Sequence, residues 1–294
     1  MATHKGIDVS EHQGNIDFNK VKAAGINFVI IRAGYGKYIN QKDKYFEQNY
    51  KNAKAAGLNV GAYWYSYADS VEDVKLEAKV FMQAIAGKTF EYPLYFDIEE
   101  EKQFRKGKAF CDSLINAFCT ALENAGYFAG VYCSTFWFTN YVSESVRKRY
   151  TVWIAEYASK CNYNGDYGMW QYSSKGNVNG VKGDCDCDYG YIDYPTIIKN
   201  GGFNGFKKQT AASEKVLDAG SRYKLGDKTV GSLAVKELLR LAYNKKLHTI
   251  AITESKDYDA ATINAVKALQ KAWGYKQTGG AGENFVKMLY SKIK

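Results

Sequence analysis

Proline is nearly absent, with two in 294 residues. That excludes Pro-rich stalks and stiff extended linkers. No stretch approaches the roughly 18 uninterrupted apolar residues that a membrane-spanning helix needs. The opening MATHKGIDVSEHQGNIDFNK lacks the apolar core of a secretory signal. Histidine is scarce: His4, His12 and His248 are too scattered to predict a metal site. The six cysteines are Cys111, Cys119, Cys133, Cys161, Cys185 and Cys187, and the only close pair is Cys185-x-Cys187. Four-ligand zinc spacing is missing. Without a secretory signal a disulfide framework is not expected, and the cysteines read as buried reduced thiols. Neither a metal nor a cofactor is expected. Hydrophobic residues make up 46% and charged residues 24%, which excludes a disordered chain.

Charge is present but unevenly placed. Residues 1–203 carry 23 Lys+Arg against 23 Asp+Glu, and residues 204–294 carry 17 against 8, so the net +9 lies wholly beyond residue 203. A basic segment favours polyanions: nucleic acid, an anionic membrane or an acidic wall polymer. Charge alone does not choose among them.

One phrase recurs along the first two thirds: KAAGINFVIIRA at 22–33, KAAGLNVGAYWY at 54–65 and ENAGYFAGVYCS at 123–134. Each reads as a helix end, a glycine cap and a strand. The strands are continuously apolar, as parallel strands buried on both faces are. Strands are expected at 5–9, 27–33, 58–66, 93–99, 128–133, 151–156, 168–172 and 184–188, and helices at 17–24, 43–56, 70–86 and 108–125. The fold class is therefore α/β, an irregular (β/α)8-type barrel with reduced helices in its second half. A flavodoxin-like open sheet accommodates eight strands less well. NGGFNGFKKQTAAS around 200–213 breaks the periodicity, so 204–213 reads as a linker between a barrel at 1–203 and a small helical domain at 214–294. In that second domain 232–244, 259–274 and 283–293 show helical spacing.

Active sites of such barrels lie at the C-terminal ends of the strands. Asp8, Tyr65, Asp97, Glu99, Tyr132, Trp153, Tyr157, Gln171 and Tyr172 fall there, with Asp184, Asp186 and Asp188 on the last strand. Carboxylates cleave glycosidic bonds, and flat aromatic rings stack on sugars. Asp97 and Glu99 form the sharpest pair, because residues i and i+2 of a strand share a face, roughly 7 Å apart. Paired carboxyls in unlike surroundings separate in pKa, and one stays protonated as an acid. Glu100 and Glu101 read as a solvent-facing acidic cap. Arg32 ends the second strand, where it would pair either with an active-site carboxylate or with a structural one.

GIDVSEHQG, FVIIRAGYG, VGAYWYSYA, PLYFDIE, GVYCS, WIAEY and MWQYSS, in this order, resemble the family-25 glycoside hydrolases, the Chalaropsis-type lysozymes. The resemblance runs from Gly6 to about Pro195. It implies a barrel with a deep groove and cleavage of the β-1,4 bond between N-acetylmuramic acid and N-acetylglucosamine. It also implies Glu99 as general acid, Asp97 as the carboxylate that assists the substrate acetamido group or acts as base, and Asp8 as a rim carboxylate. The family's late acid, in a V-D-x-[ND] string, falls on Asp186 of Cys185-Asp186-Cys187-Asp188, with Asp184 and Asp188 as the other candidates. Tyr65, Tyr132, Trp153, Tyr157, Gln171, Tyr172 and Arg32 are the remaining candidates for substrate binding.

TINAVKALQKAWGY followed by GENFVKMLY is similar, more faintly, to helical peptidoglycan-binding modules. A muramidase with a basic tail and no secretory signal looks like a phage endolysin, which stays in the host cytoplasm until released to the wall. The expected partners are peptidoglycan and anionic wall polymers. No nucleic-acid motif accompanies the basic tail, and the aromatics sit mainly in the neutral part, so neither nucleic acid nor a membrane is expected as partner. A bacterial autolysin of the same chemistry, or a wall-glycan-binding protein without catalysis, is the alternative. The intact Asp97 and Glu99 argue against the latter.

Overall fold

The computed structural model describes residues 4–208, 217–218 and 223–294. The chain divides into two compact units, Met1–Gln209 and Thr210–Lys294.

The first unit is a closed eight-stranded barrel whose strands neighbour one another in chain order. They are β1 (His4–Val9), β2 (Phe28–Tyr35), β3 (Asn59–Tyr65), β4 (Leu94–Asp97), β5 (Ala129–Ser134), β6 (Thr151–Ala155), β7 (Met169–Gly176) and β8 (Cys185–Gly190). Helices α1 (Phe18–Ala23), α2 (Phe46–Ala55), α3 (Val71–Ile85), α4 (Glu101–Phe104) and α5 (Lys108–Asn124) cover the first half. The second half has only the short α6 (Thr135–Tyr141), α7 (Glu144–Arg149) and α8 (Tyr194–Gly201). The recurring phrase behaves as its chemistry demands: Gly25, Gly57 and Gly126 all take positive φ, the conformation that stops a helix and turns the chain into the next strand. Ser70 caps α3 by accepting the Asp73 N–H, and Val74, Ala78, Phe81 and Ile85 then bury one stripe of that helix. Phe81 and Phe96 both meet Phe118 of α5, at ring-centroid distances of 5.9 and 4.5 Å, which ties helix layer to sheet.

Strands β1 to β7 run parallel, but β8 is antiparallel to both neighbours. This corrects the expectation of a rim built from C-terminal strand ends throughout. The connection 177–184 is too short for a parallel crossover, which takes a dozen residues or more. The last strand therefore meets the groove with its N-terminal end.

Inside the barrel, Phe28 and Tyr92 stack at 4.2 Å, and Tyr95, Met169 and Tyr194 belong to the same buried cluster. Glycine is obligatory beside them: a Cβ on Gly6 would sit 2.1 Å from the Phe28 ring. This plug fills one end of the barrel and leaves the other open.

The linker boundary also needs correction. Asn204 is fully buried and donates to the carbonyls of Phe90 and Tyr92 while its Oδ1 accepts the Phe128 N–H, so 204–208 belong to the barrel unit. The remainder of the expected linker, 209–213, lies outside the described residues.

The second unit holds α9 (Val230–Asn244), α10 (Ala260–Ala272) and α11 (Glu283–Ile293). Val235, Leu239, Tyr258, Val266, Leu269, Phe285 and Leu289 form its own buried core. Lys236 is fully buried there, its ammonium donating to Thr253 and Ser255 hydroxyls, the Asp257 carbonyl and the Asp259 carboxylate. That cage satisfies a charge that would otherwise cost several kcal/mol.

Candidate active site

The open end of the barrel holds a pocket of about 300 Å³ whose walls include Asp8, Asp97, Glu99 and Asp186. Strand β4 stops at Asp97, so Glu99 lies two residues beyond it and not on the strand. The segment stays extended because the Ile98 N–H donates to the Tyr132 carbonyl and the Ser66 N–H to that of Asp97. Ile98 is buried on the other side, and Asp97 and Glu99 thus share the pocket. Asp97 is deep and Glu99 is exposed at the mouth.

Antiparallel pairing of β8 with β1 sets Asp186 opposite Asp8, at the pocket, and Asp188 opposite Gly6, further in. Asp188 accepts the Trp153 indole N–H at 2.8 Å and is fully buried. Asp184 is exposed and does not line the pocket. Of the three late carboxylates, Asp186 is the one in the pocket wall.

Crowding acids into one hollow raises their proton affinity. Burial, then Asp188 and Asp186, push the Asp8 carboxyl well above the usual carboxylate range, against the opposing hydrogen bond from Gln171. Burial and then Glu99 do the same to Asp97, with the Arg32 charge opposing. Glu99 is pushed up to about 7 by desolvation, Glu100 and Asp186. Asp97 Oδ1 is buried with no hydrogen-bond partner among the described residues. The arrangement can therefore deliver a proton from Glu99 near neutral pH and offers an unfilled acceptor below it.

The polar wall is preorganised around Gln171. Its amide donates to Asp8 at 2.7 Å, and its carbonyl oxygen accepts from the hydroxyls of Tyr132 at 2.9 Å and Tyr157 at 3.1 Å. Trp153 closes the floor against Tyr132, at 4.5 Å, and Tyr63, at 6.0 Å. Tyr65 lines the pocket while donating to Glu100 at 2.8 Å. Tyr157 stands at the rim, 60% exposed.

Tyr172 requires correction as a substrate-binding candidate. Strand alternation turns it away from Gln171, and it stacks on Tyr189 at 4.5 Å outside the pocket. Arg32 lines the pocket, but its ion pairs run to Asp43 at 2.9 Å and Glu11 at 3.2 Å, which makes it a brace for the loop after β1. That loop supplies Ser10, His12 and Gln13 to the wall, three residues that were not among the candidates for the site. Their signal was available: they follow Asp8 directly, in the first strand-to-helix loop. Among the described residues no cluster of His, Cys, Asp or Glu is placed to hold a metal ion.

The chain is similar to known lysozymes, autolysins and an endolysin. The autolytic lysozyme of Clostridium acetobutylicum is 35% identical over 187 residues, covering 63% of this chain and 55% of the relative, so the match spans about half of that protein. Lysozyme M1 of Streptomyces globisporus is 29% identical over 200 residues, 62% of this chain and 66% of the relative. Among solved structures, the CTP1L endolysin superposes with a TM-score of 0.58 at 28% identity, covering 67% of this chain and 70% of that one. The modular autolysin LytC of Streptococcus pneumoniae, solved with a synthetic peptidoglycan ligand, gives 0.59 at 27%, covering 64% and 47%. The model of glycosyl hydrolases family 25 matches residues 7–181, which takes in Asp8, Asp97 and Glu99 and stops short of Asp186. With that match over more than half its length, the chain belongs to glycosyl hydrolases family 25.

Proposed function

We propose that the barrel unit is an N-acetylmuramidase that hydrolyses the β-1,4 bond between N-acetylmuramic acid and N-acetylglucosamine in bacterial peptidoglycan. The observation that carries the reading is Glu99, a carboxyl at the mouth of a sugar-sized groove with its pKa pushed up to about 7. Such a group is protonated often enough at neutral pH to donate to the leaving glycosidic oxygen, and basic enough afterwards to take a proton from water. Asp97 supplies the second half. Its buried, unpartnered oxygen accepts the acetamido N–H of the sugar, which aligns the acetamido carbonyl against the anomeric carbon. Asp8 and Asp186 line the same pocket, and the negative charge these crowded acids share favours the positive charge that develops on the ring. Support from relatives is their naming as lysozymes and autolysin, and the peptidoglycan ligand in one of them.

The test is bond assignment. Purified peptidoglycan is digested, the new reducing ends are reduced with borohydride, and the hydrolysate is analysed. A muramidase yields the alcohol of muramic acid. The alcohol of glucosamine, or no new reducing end, refutes the reading.

The same proposal makes the second unit a wall-binding module that uses its basic surface on anionic polymers and its own core as a stable scaffold. The endolysin-like route, from host cytoplasm to wall on membrane breach, rests on the sequence alone. Fractionation before and after lysis checks it.

A further inference from the structure

A larger hollow adjoins the acidic pocket and extends beyond the reacting groups. A cleft of about 540 Å³ shares Glu99, Tyr132 and Tyr157 with that pocket and extends to Phe136. Phe136 and Thr135 in turn line a cavity of about 590 Å³, built from α6, α7 and the loop between β6 and β7. Three adjoining hollows thus lead away from the proton donor along the open face of the barrel.

The furthest cavity holds an arginine without an ion pair. Arg32, Arg105, Arg149 and Arg240 all pair with carboxylates. Arg147 is the one described arginine with no carboxylate within ion-pair distance; its Nε is buried without a partner, and its guanidinium hydrogen-bonds the Tyr163 hydroxyl while lining the cavity. A guanidinium in a cavity wall with no carboxylate of its own, braced by a tyrosine hydroxyl, suits an incoming carboxylate. The surroundings fit a peptide. Asn140 and Asn162 spend their amide N–H groups on Phe136 O and Glu156 Oε1, which leaves their side-chain oxygens as unfilled acceptors for peptide N–H. Phe136, 62% exposed, offers an apolar ring to a small side chain. Asp166, on the same wall, suits an ammonium.

We propose that this cavity is an accessory subsite for the peptide stem of peptidoglycan, with Arg147 binding a stem carboxylate. The inference rests on the muramidase reading. In such an enzyme the sugar on the non-reducing side of the cleaved bond is muramic acid, whose lactyl group carries the stem. A ligand with peptide amides, a carboxylate and, in its diamino acid, an ammonium matches the mixed walls. The cavity then acts on specificity, favouring stem-bearing strands over bare glycan.

The test compares soluble glycan strands bearing stems with the same strands stripped by an amidase. Wild type is expected to show the lower KM on stem-bearing strands. Arg147→Ala should raise that KM about tenfold, the scale of one lost charge-assisted hydrogen bond, with kcat little changed. On stripped strands it should match wild type, and Arg147→Lys should recover part of the loss. Circular dichroism and Tm verify folding. If Arg147→Ala does not fold, Arg147→Gln and Asn140→Ala on the same wall make the same discrimination. Equal losses on both substrates, or no loss on stem-bearing strands, overturn the proposal. If wild type cuts neither substrate, the muramidase reading fails first and takes this one with it.

Discussion

Replacing Glu99 by Gln keeps the shape of the side chain and removes the proton it can give. The side chain is exposed at the mouth of the pocket, so folding should survive. General acid catalysis contributes about 10²–10⁴ in rate, or roughly 3–5 kcal/mol of barrier. The pKa near 7 sharpens the expectation. In wild type the protonated fraction is about nine tenths at pH 6, half at pH 7 and one tenth at pH 8, so kcat/KM should fall about fivefold from pH 7 to 8 and about tenfold per pH unit beyond. Glu100 is the second cause of that raised value, after desolvation. Glu100→Gln should therefore leave activity near wild type at pH 5.5 and move the alkaline limb to lower pH, because a neighbouring negative charge no longer favours the protonated acid. The assay is reducing-end release from purified peptidoglycan between pH 4.5 and 9. A folded Glu99→Gln protein retaining a tenth of wild-type activity refutes the role. So does an alkaline limb that stays in place when Glu100 is neutralised.

Asp97→Asn should lose activity severely yet gain stability. Burial and Glu99 raise its folded pKa above the unfolded value near 3.9, so the native state pays for ionising it as pH rises past that value. The gain should be present at pH 8 and absent below about pH 4, as Tm in the two buffers will tell. Residues 214–294 made alone should fold and label susceptible walls, weakening with salt as charge is screened. Residues 1–208 alone should lyse cells more slowly, and a tail that labels no wall at low salt would remove the targeting role. Acetamido assistance requires the first-formed anomer to retain configuration. Proton NMR of early product reads this directly, and an inverted anomer would replace the substrate carbonyl by an attacking water.

Much of this protein is legible in one dimension because its signals are local. Glycine caps followed by apolar runs mark three places where a helix yields to a strand, and all eight strands lie within a few residues of where the sequence pattern puts them. Asp8 and Glu99 were readable as rim residues because a parallel strand leads its C-terminal end to one face of the barrel. The three helices of the second unit were legible from periodicity in the same way. What the tertiary structure decided is everything that depends on a partner distant in the chain. The direction of β8 comes from closing the barrel against β1 and β7, and that closure, not the spacing of three aspartates, put Asp186 in the pocket and Asp188 under Trp153. Tyr172 and Gln171 are neighbours in sequence and have opposite fates, because alternation along β7 presents one to the groove and the other to Tyr189. Arg32 carries no mark that tells a catalytic from a structural pairing. Asp43, folded back from the next loop, settled that. Even the end of the barrel unit was set by distant partners: Asn204 reads as loop composition, yet three strand-end groups hold it as part of the core. Local propensity writes elements into sequence, whereas proton affinity, burial and pairing arise only when those elements meet.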